Sequence, residues 1–239
     1  MLRRVCWAAV LCFAVAALSS AASADAPAAV DRPLWCVTTL EGAPDPQALL
    51  AGQDWPASSL TGFVGMTTGK LGRRQPVVWL SRDDRDLHIA WRIPRLGDAP
   101  FAASATERDG PLWNDDSFEV FLDPGHTHRD YMQFIVNSTG ALYDGRGRDA
   151  SWNSGAEVRV AQDAAAWAGV LTVPLADLGG APAHGAVWAA NFAVDRSVPQ
   201  RPSDGWQQED ANLVWSPVSA SLHEPARSGH LVFGGTARV

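Results

Sequence analysis

The chain has 239 residues, is 46% hydrophobic and 19% charged, and carries a formal net charge of −7. That balance excludes a disordered or fibrous chain, and the acidic excess disfavours nucleic acid or an anionic membrane as partner. Eleven Trp, against eight Phe and two Tyr, call for either a large core or a surface on which rings stack.

Residues 1–24 read as a secretory signal peptide. Arg3 and Arg4 precede an uncharged apolar run from Val5 to Leu18, and Ala22-Ser23-Ala24 offers small residues for cleavage. A run of that length falls short of the roughly 20 residues a helix needs to span a bilayer. The expectation is an exported protein, periplasmic or extracellular. Its mature part then holds 17 basic and 26 acidic residues, and Cys36 as its lone cysteine. An internal disulfide is thereby excluded, and Cys36, between Trp35 and Val37, is expected as a buried thiol. Residues 25–39 are expected as an N-terminal arm, and 40–239 as one domain.

From residue 77 onward, short apolar segments alternate with turn residues. In Leu87-His-Ile-Ala-Trp-Arg-Ile93 the residues Leu87, Ile89, Trp91 and Ile93 fall on one face, the period of a strand. Val77–Leu80 pairs with it across a polar turn. Further strands are expected at Phe118–Leu122, Tyr131–Asn137, Ala141–Asp144, Glu157–Gln162, Trp167–Val173, Val187–Val194, Leu213–Trp215 and His230–Phe233. Pro174 to Leu178 looks like a single helical turn opened by proline, and 65–75 like an exposed loop. No long amphipathic helix separates the strands. The fold class is therefore all-β: an antiparallel sandwich with jelly-roll-like or immunoglobulin-like layering.

Chemistry concentrates between Leu112 and Asp144. In Trp113-Asn-Asp115-Asp116-Ser-Phe118-Glu119-Val-Phe-Leu-Asp123, parity sends Phe118, Val120 and Leu122 into the core. Glu119 then lies on the opposite face, together with Tyr131 and Gln133 of the next strand. Such a face suits a ligand wanting hydrogen bonds and flat apolar contact. Trp113 and Glu119 stand six residues apart, roughly 20 Å if fully extended. They meet one small ligand only if 113–115 folds back before the strand begins.

The run Trp-x-Asp-Asp-x-x-Glu-x-Phe-Leu-Asp-Pro, then Tyr-x-Gln-Phe-x-Val-Asn and Gly-x-x-Tyr-Asp, resembles carbohydrate-binding module family 9 and its relatives. The likeness extends to Pro76–Leu80, Asp86–Trp91, Trp167–Pro174, Trp188–Arg196, Trp215-Ser-Pro217 and Gly229–Phe233, covering about residues 40–235. It implies a β-sandwich related to the DOMON group, binding sugar or haem without catalysis. Such modules are often attached to glycoside hydrolases and serve polysaccharide binding or degradation. By position the resemblance makes Trp113 a stacking platform and Glu119 a hydroxyl acceptor. Gln133 and Asn137 join them on the strand that follows. Trp152 and Trp206, both in polar loops, are the remaining stacking candidates. Where sugar-binding members often carry Arg and a second Trp, this chain has Ile135 and Leu222. An interaction module with a decayed sugar site is the corresponding alternative.

Other chemistries have thinner support. Asp115, Asp116 and Asp123 offer oxygens for structural calcium, without the regular spacing of a calcium loop. A glycosidase needs two opposed carboxylates, for which Glu119 with Asp115 or Asp144 are the candidates. Haem ligation falls to Met66 or Met132 with His223 or His230. His126-Thr-His128 reads as a solvated turn, and Asn137-Ser-Thr139 as a hairpin turn.

Overall fold

Every strand expected from residue 77 onward is present in the computed structural model, which describes residues 32–96, 100–197 and 211–236. In chain order the elements are β1 (Leu34–Thr39), α1 (Pro46–Leu50), β2 (Ser58–Leu60), β3 (Val64–Gly65), β4 (Val77–Arg82), β5 (Asp86–Pro94) and β6 (Ser117–Asp123). They continue with β7 (Met132–Asn137), β8 (Leu142–Arg146), β9 (Glu157–Gln162), β10 (Ala166–Pro174), β11 (Val187–Asp195), β12 (Asn212–Val214) and β13 (Gly229–Thr236). The signal segment and Trp206 lie outside the described residues. No described helix is long and apolar enough to cross a membrane.

The strands form one sheet in the order β8-β7-β6-β11-β13-β1-β4-β5-β10-β9, curled nearly into a barrel, with β2, β3 and β12 attached at its margins. Its two halves close on a single core. Trp91 of β5 stacks on Phe118 of β6 with ring centroids 4.7 Å apart, and Phe118 stacks in turn on Phe192 of β11 at 6.2 Å. Trp167 meets Trp91 edge-on at 5.5 Å. Leu87, Ile89, Trp91 and Ile93 are all buried there, as their alternation requires. The opposite face of β4, β5 and β10 is covered too. Trp79, Ala90 and Val170 pack there with Leu49 of α1 and with Trp55. Asp45 caps α1 by accepting from the Gln47 amide, and Pro46 follows in the first turn.

Three details differ from expectation. The sheet is mixed rather than wholly antiparallel, because β1 runs parallel to both of its neighbours, β13 and β4. It also begins at Leu34, within the stretch expected as an arm up to residue 39. Cys36 is exposed rather than buried. Alternation along β1 turns Leu34 and Cys36 outward at the open end of the strand, and only Val37 and Thr38 are buried.

The carboxylates of Asp115 and Asp116 anchor the loop that precedes β6. Asp115 accepts from the Ser104 and Ala105 amides, the Ser104 hydroxyl and the Asn137 amide. Burial raises its pKa, but these donors outweigh burial and hold it below the ordinary aspartate value. Asp116 accepts from the Ala102 amide, and burial, the largest influence, pushes its pKa up to about 6.

Candidate functional site

The face of β6, β7, β8 and β11 turned away from the core carries a cavity of about 510 Å³. Buried Glu119 and Gln133, with half-buried Asp195 beside them, are its polar floor, and Met66, Ile135 and Leu222 supply apolar wall. Trp113, Tyr143, Arg148, Ser221 and His223 complete the lining. A slightly larger cavity, about 560 Å³, lies between the β6–β7 turn and the segment 176–179 and has no Trp in its lining. The smaller one holds the chemistry.

Local structure explains how Trp113 and Glu119 come together. Pro111 turns the chain into a short 3-10 turn at Leu112–Asn114, closed by the Asp115 amide donating to the Leu112 carbonyl. Strand β6 starts only at Ser117, so the intervening residues fold back instead of extending. Trp113 is consequently 54% exposed, and its ring stands edge-on against Tyr143 at 6.2 Å and 85°. A ring held from one side with an open face is a platform for a flat apolar ligand surface.

The floor is an unusual electrostatic environment. The Gln133 side-chain amide donates to Glu119 Oε2 at 2.8 Å. Glu119 is also hydrogen-bonded to Asp195. Burial, and then the Asp195 charge, push the Glu119 carboxyl well above the usual glutamate value; burial likewise raises Asp195. Two carboxyls in contact, one buried and one half-buried, disfavour a second negative charge, and this favours one proton shared by the pair. His223 is displaced the other way: burial first, then the Arg148 charge, lower its pKa and keep the ring neutral. Its Nδ1 lies 2.6 Å from the Tyr131 hydroxyl.

The shared proton has a measurable consequence. A raised folded-state pKa means the folded protein binds more protons than the unfolded chain above the ordinary carboxyl range, so stability is lost as pH rises through the folded value. Glu119→Gln replaces that proton with a permanent N–H donor to Asp195 while keeping an acceptor for Gln133. The difference in melting temperature between Glu119→Gln and wild type is expected to grow in the variant's favour from pH 5 to pH 9. A difference constant across that range would rule out the shared proton.

Of the other expected site residues, Asn137 shares the face but has nothing left to offer a ligand. It donates to the Ala105 carbonyl and Asp115, and its Oδ1 accepts from Thr139 and Ala141. Trp152 lies away from the cavity, packed against Phe134 at 6.0 Å beneath the Arg146 guanidinium at 5.0 Å. Asp123 stands at the far end of β6 from Asp115 and Asp116, roughly 20 Å along the strand. It accepts from Thr127 and the His128 amide, so the three carboxylates do not converge. Asp144 is buried in an ion pair with Arg108 at 2.7 Å. Tyr143, Arg148 and Asp195 are cavity residues that the sequence did not single out, and His223 entered only as a candidate haem ligand. For Asp195 the parity of β11 was a usable signal, since Ala193 lies opposite Glu119 and places Asp195 on the same face.

No family model and no curated sequence matches the chain. Solved structures do. One from Bacteroides uniformis, described as a candidate carbohydrate-binding protein, superposes with a TM-score of 0.62 at 19% identity, over 84% of this chain and 99% of its own. A carbohydrate binding module family 9 from Caldicellulosiruptor kristjanssonii in complex with cellotriose gives 0.58 at 14% identity, over 85% and 94%. Its complex with glucose gives 0.57 at 13%, over 85% and 96%. The chain has the fold of a family 9 carbohydrate-binding module. Expectation and structure agree on the fold.

Proposed function

We propose that this protein is an exported, non-catalytic carbohydrate-binding protein whose ligand is the end of a saccharide chain or a free mono- or disaccharide. The observation that carries the reading is the half-exposed Trp113 ring beside a cavity floored by Glu119, Gln133 and Asp195. The C–H face of a sugar ring stacks on Trp113, while its hydroxyls bond the carboxyl, amide and guanidinium groups around it. Arg148 reaches this cavity from the segment after β8. It offers a guanidinium that Ile135 does not, which favours a working site over a decayed one. The structural neighbours with bound cellotriose and glucose support the ligand class. The basic-then-apolar segment at residues 1–24 supports export to the periplasm or beyond, with polysaccharide capture or attachment to a glycoside hydrolase as its setting.

A non-catalytic role is favoured by the carboxyls themselves. Glu119 and Asp195 bond each other, whereas glycosidase carboxyls stand roughly 5–9.5 Å apart across the bond they cleave. Calorimetric titration with glucose, cellotriose and a panel of other oligosaccharides is expected to give one site per chain; no heat with any of them at millimolar concentration would overturn the proposal. A haem-binding alternative has one observation in its favour, that Met66 and His223 line the same cavity. Absence of a Soret shift on adding haem eliminates it.

A further inference from the structure

Three histidines that sequence reading assigns to turn and strand meet on the surface. His126 and His128 come from the β6–β7 turn and His230 from β13, about a hundred residues later. One ring nitrogen from each lies within 4.8 Å of the others. His126 Nε2 and His230 Nδ1 are 2.9 Å apart, and the ring centroids of the three are separated by 4.6, 5.0 and 5.8 Å. We propose that His126, His128 and His230 form a binding site for a divalent transition-metal ion, with Zn²⁺ as the reference ion.

The surroundings are those of a prepared site. His128 Nδ1 donates to the Pro225 carbonyl at 3.1 Å, which fixes the tautomer and leaves the Nε2 lone pair free. Asp123 holds the turn in place by accepting from the His128 amide at 2.6 Å and from the Thr127 hydroxyl at 3.2 Å. Both turn histidines occupy left-handed backbone, with φ of 51° for His126 and 56° for His128. Three imidazoles with no thiolate suit Zn²⁺, Ni²⁺ or Cu²⁺ rather than calcium or magnesium. Zn–N bonds of about 2.0–2.1 Å in a tetrahedron separate ligand nitrogens by roughly 3.3 Å. The His126–His230 pair therefore opens by only a fraction of an ångström to admit the ion. A fourth position is left to solvent.

The test uses the full chain after chelator treatment and dialysis. Titration with ZnCl₂ at pH 7.5 is expected to give one ion per chain with a dissociation constant in the micromolar range or below. Co²⁺ is expected to give the intense visible bands of tetrahedral coordination. His126→Asn, His128→Asn and His230→Gln are each expected to weaken Zn²⁺ at least tenfold. Asn tolerates the left-handed conformation of the turn, so the first two variants keep the fold, checked by circular dichroism. His184→Ala, a histidine outside the cluster, is the control. No Zn²⁺ binding below 100 μM, or unchanged affinity in the His126→Asn, His128→Asn double variant, overturns the proposal.

Discussion

Trp113→Ala is expected to weaken sugar binding roughly 30-fold or more without unfolding the protein. The ring is 54% exposed, belongs to no core cluster, and has Tyr143 as its edge-on neighbour. Its removal therefore costs stability no more than about 0.5 kcal/mol, as for surface substitutions generally. Binding is another matter. A stacked aromatic at the centre of a small site behaves as a hot spot, worth about 2 kcal/mol or more, which is roughly 30-fold in dissociation constant. Trp113→Phe keeps part of the flat surface and should fall between. The measurement is calorimetric affinity for glucose or cellotriose beside the melting temperature of each variant. Unchanged affinity in Trp113→Ala places the sugar elsewhere.

The second large effect lies in the core. Gly169 of β10 sits opposite Trp91 of β5 in the antiparallel register, and the indole occupies the space a side chain there would need. A Cβ at 169 would stand 2.2 Å from Trp91 Cζ2 and 2.6 Å from Cε2. The indole cannot retreat, since it is fully buried against Phe118 on one side and Trp167 on another. Gly169→Ala is expected to destabilise by about 3 kcal/mol, the upper end of ordinary overpacking. For a domain of this size that lowers the melting temperature by roughly 6–12 °C. Adding Trp91→Leu to Gly169→Ala should recover part of the loss, because the clash goes with the ring. A melting temperature within 2 °C of wild type for Gly169→Ala alone would show that β5 and β10 are not held in this register.

What the sequence discloses about the site follows parity. Glu119 and Gln133 are legible because each lies on a strand whose other face is apolar, and two-residue alternation leaves them one place to go. The fold-back that brings Trp113 to them is legible only as a condition. Whether Pro111 and Leu112 would turn the chain depends on Asp115 and Asp116 finding amide donors at Ala102, Ser104 and Ala105, which no period records. Arg148 and His223 arrive from connecting segments, and a connection carries no face. Asn137 matched the family pattern because the brace it forms needs an Asn, which is a different reason from touching ligand. The tryptophans divide the same way. Trp79, Trp91, Trp167 and Trp188 are core as their strands require. Trp152, in a polar context, covers the outer end of the core instead of a ligand. The histidine cluster was invisible because its third member is supplied by pairing at the other end of the chain.

Strand β1 has a consequence for the order of events in folding. It pairs in parallel with β13, so residues 34–39 find their partner only at 229–236. A closure spanning almost the whole described chain carries a large loop-entropy cost, and folds governed by such distant pairings form slowly. The β6–β11 half of the sheet has no way to join the β1–β4 half along the strand order until β13 has been made. A chain truncated before β13 exposes open edges on β1 and β11, which are templates for pairing between molecules. Strand β13 thus joins the two halves of the sheet, and loss of residues 229–236 is the lesion most apt to turn this protein from folding to aggregation.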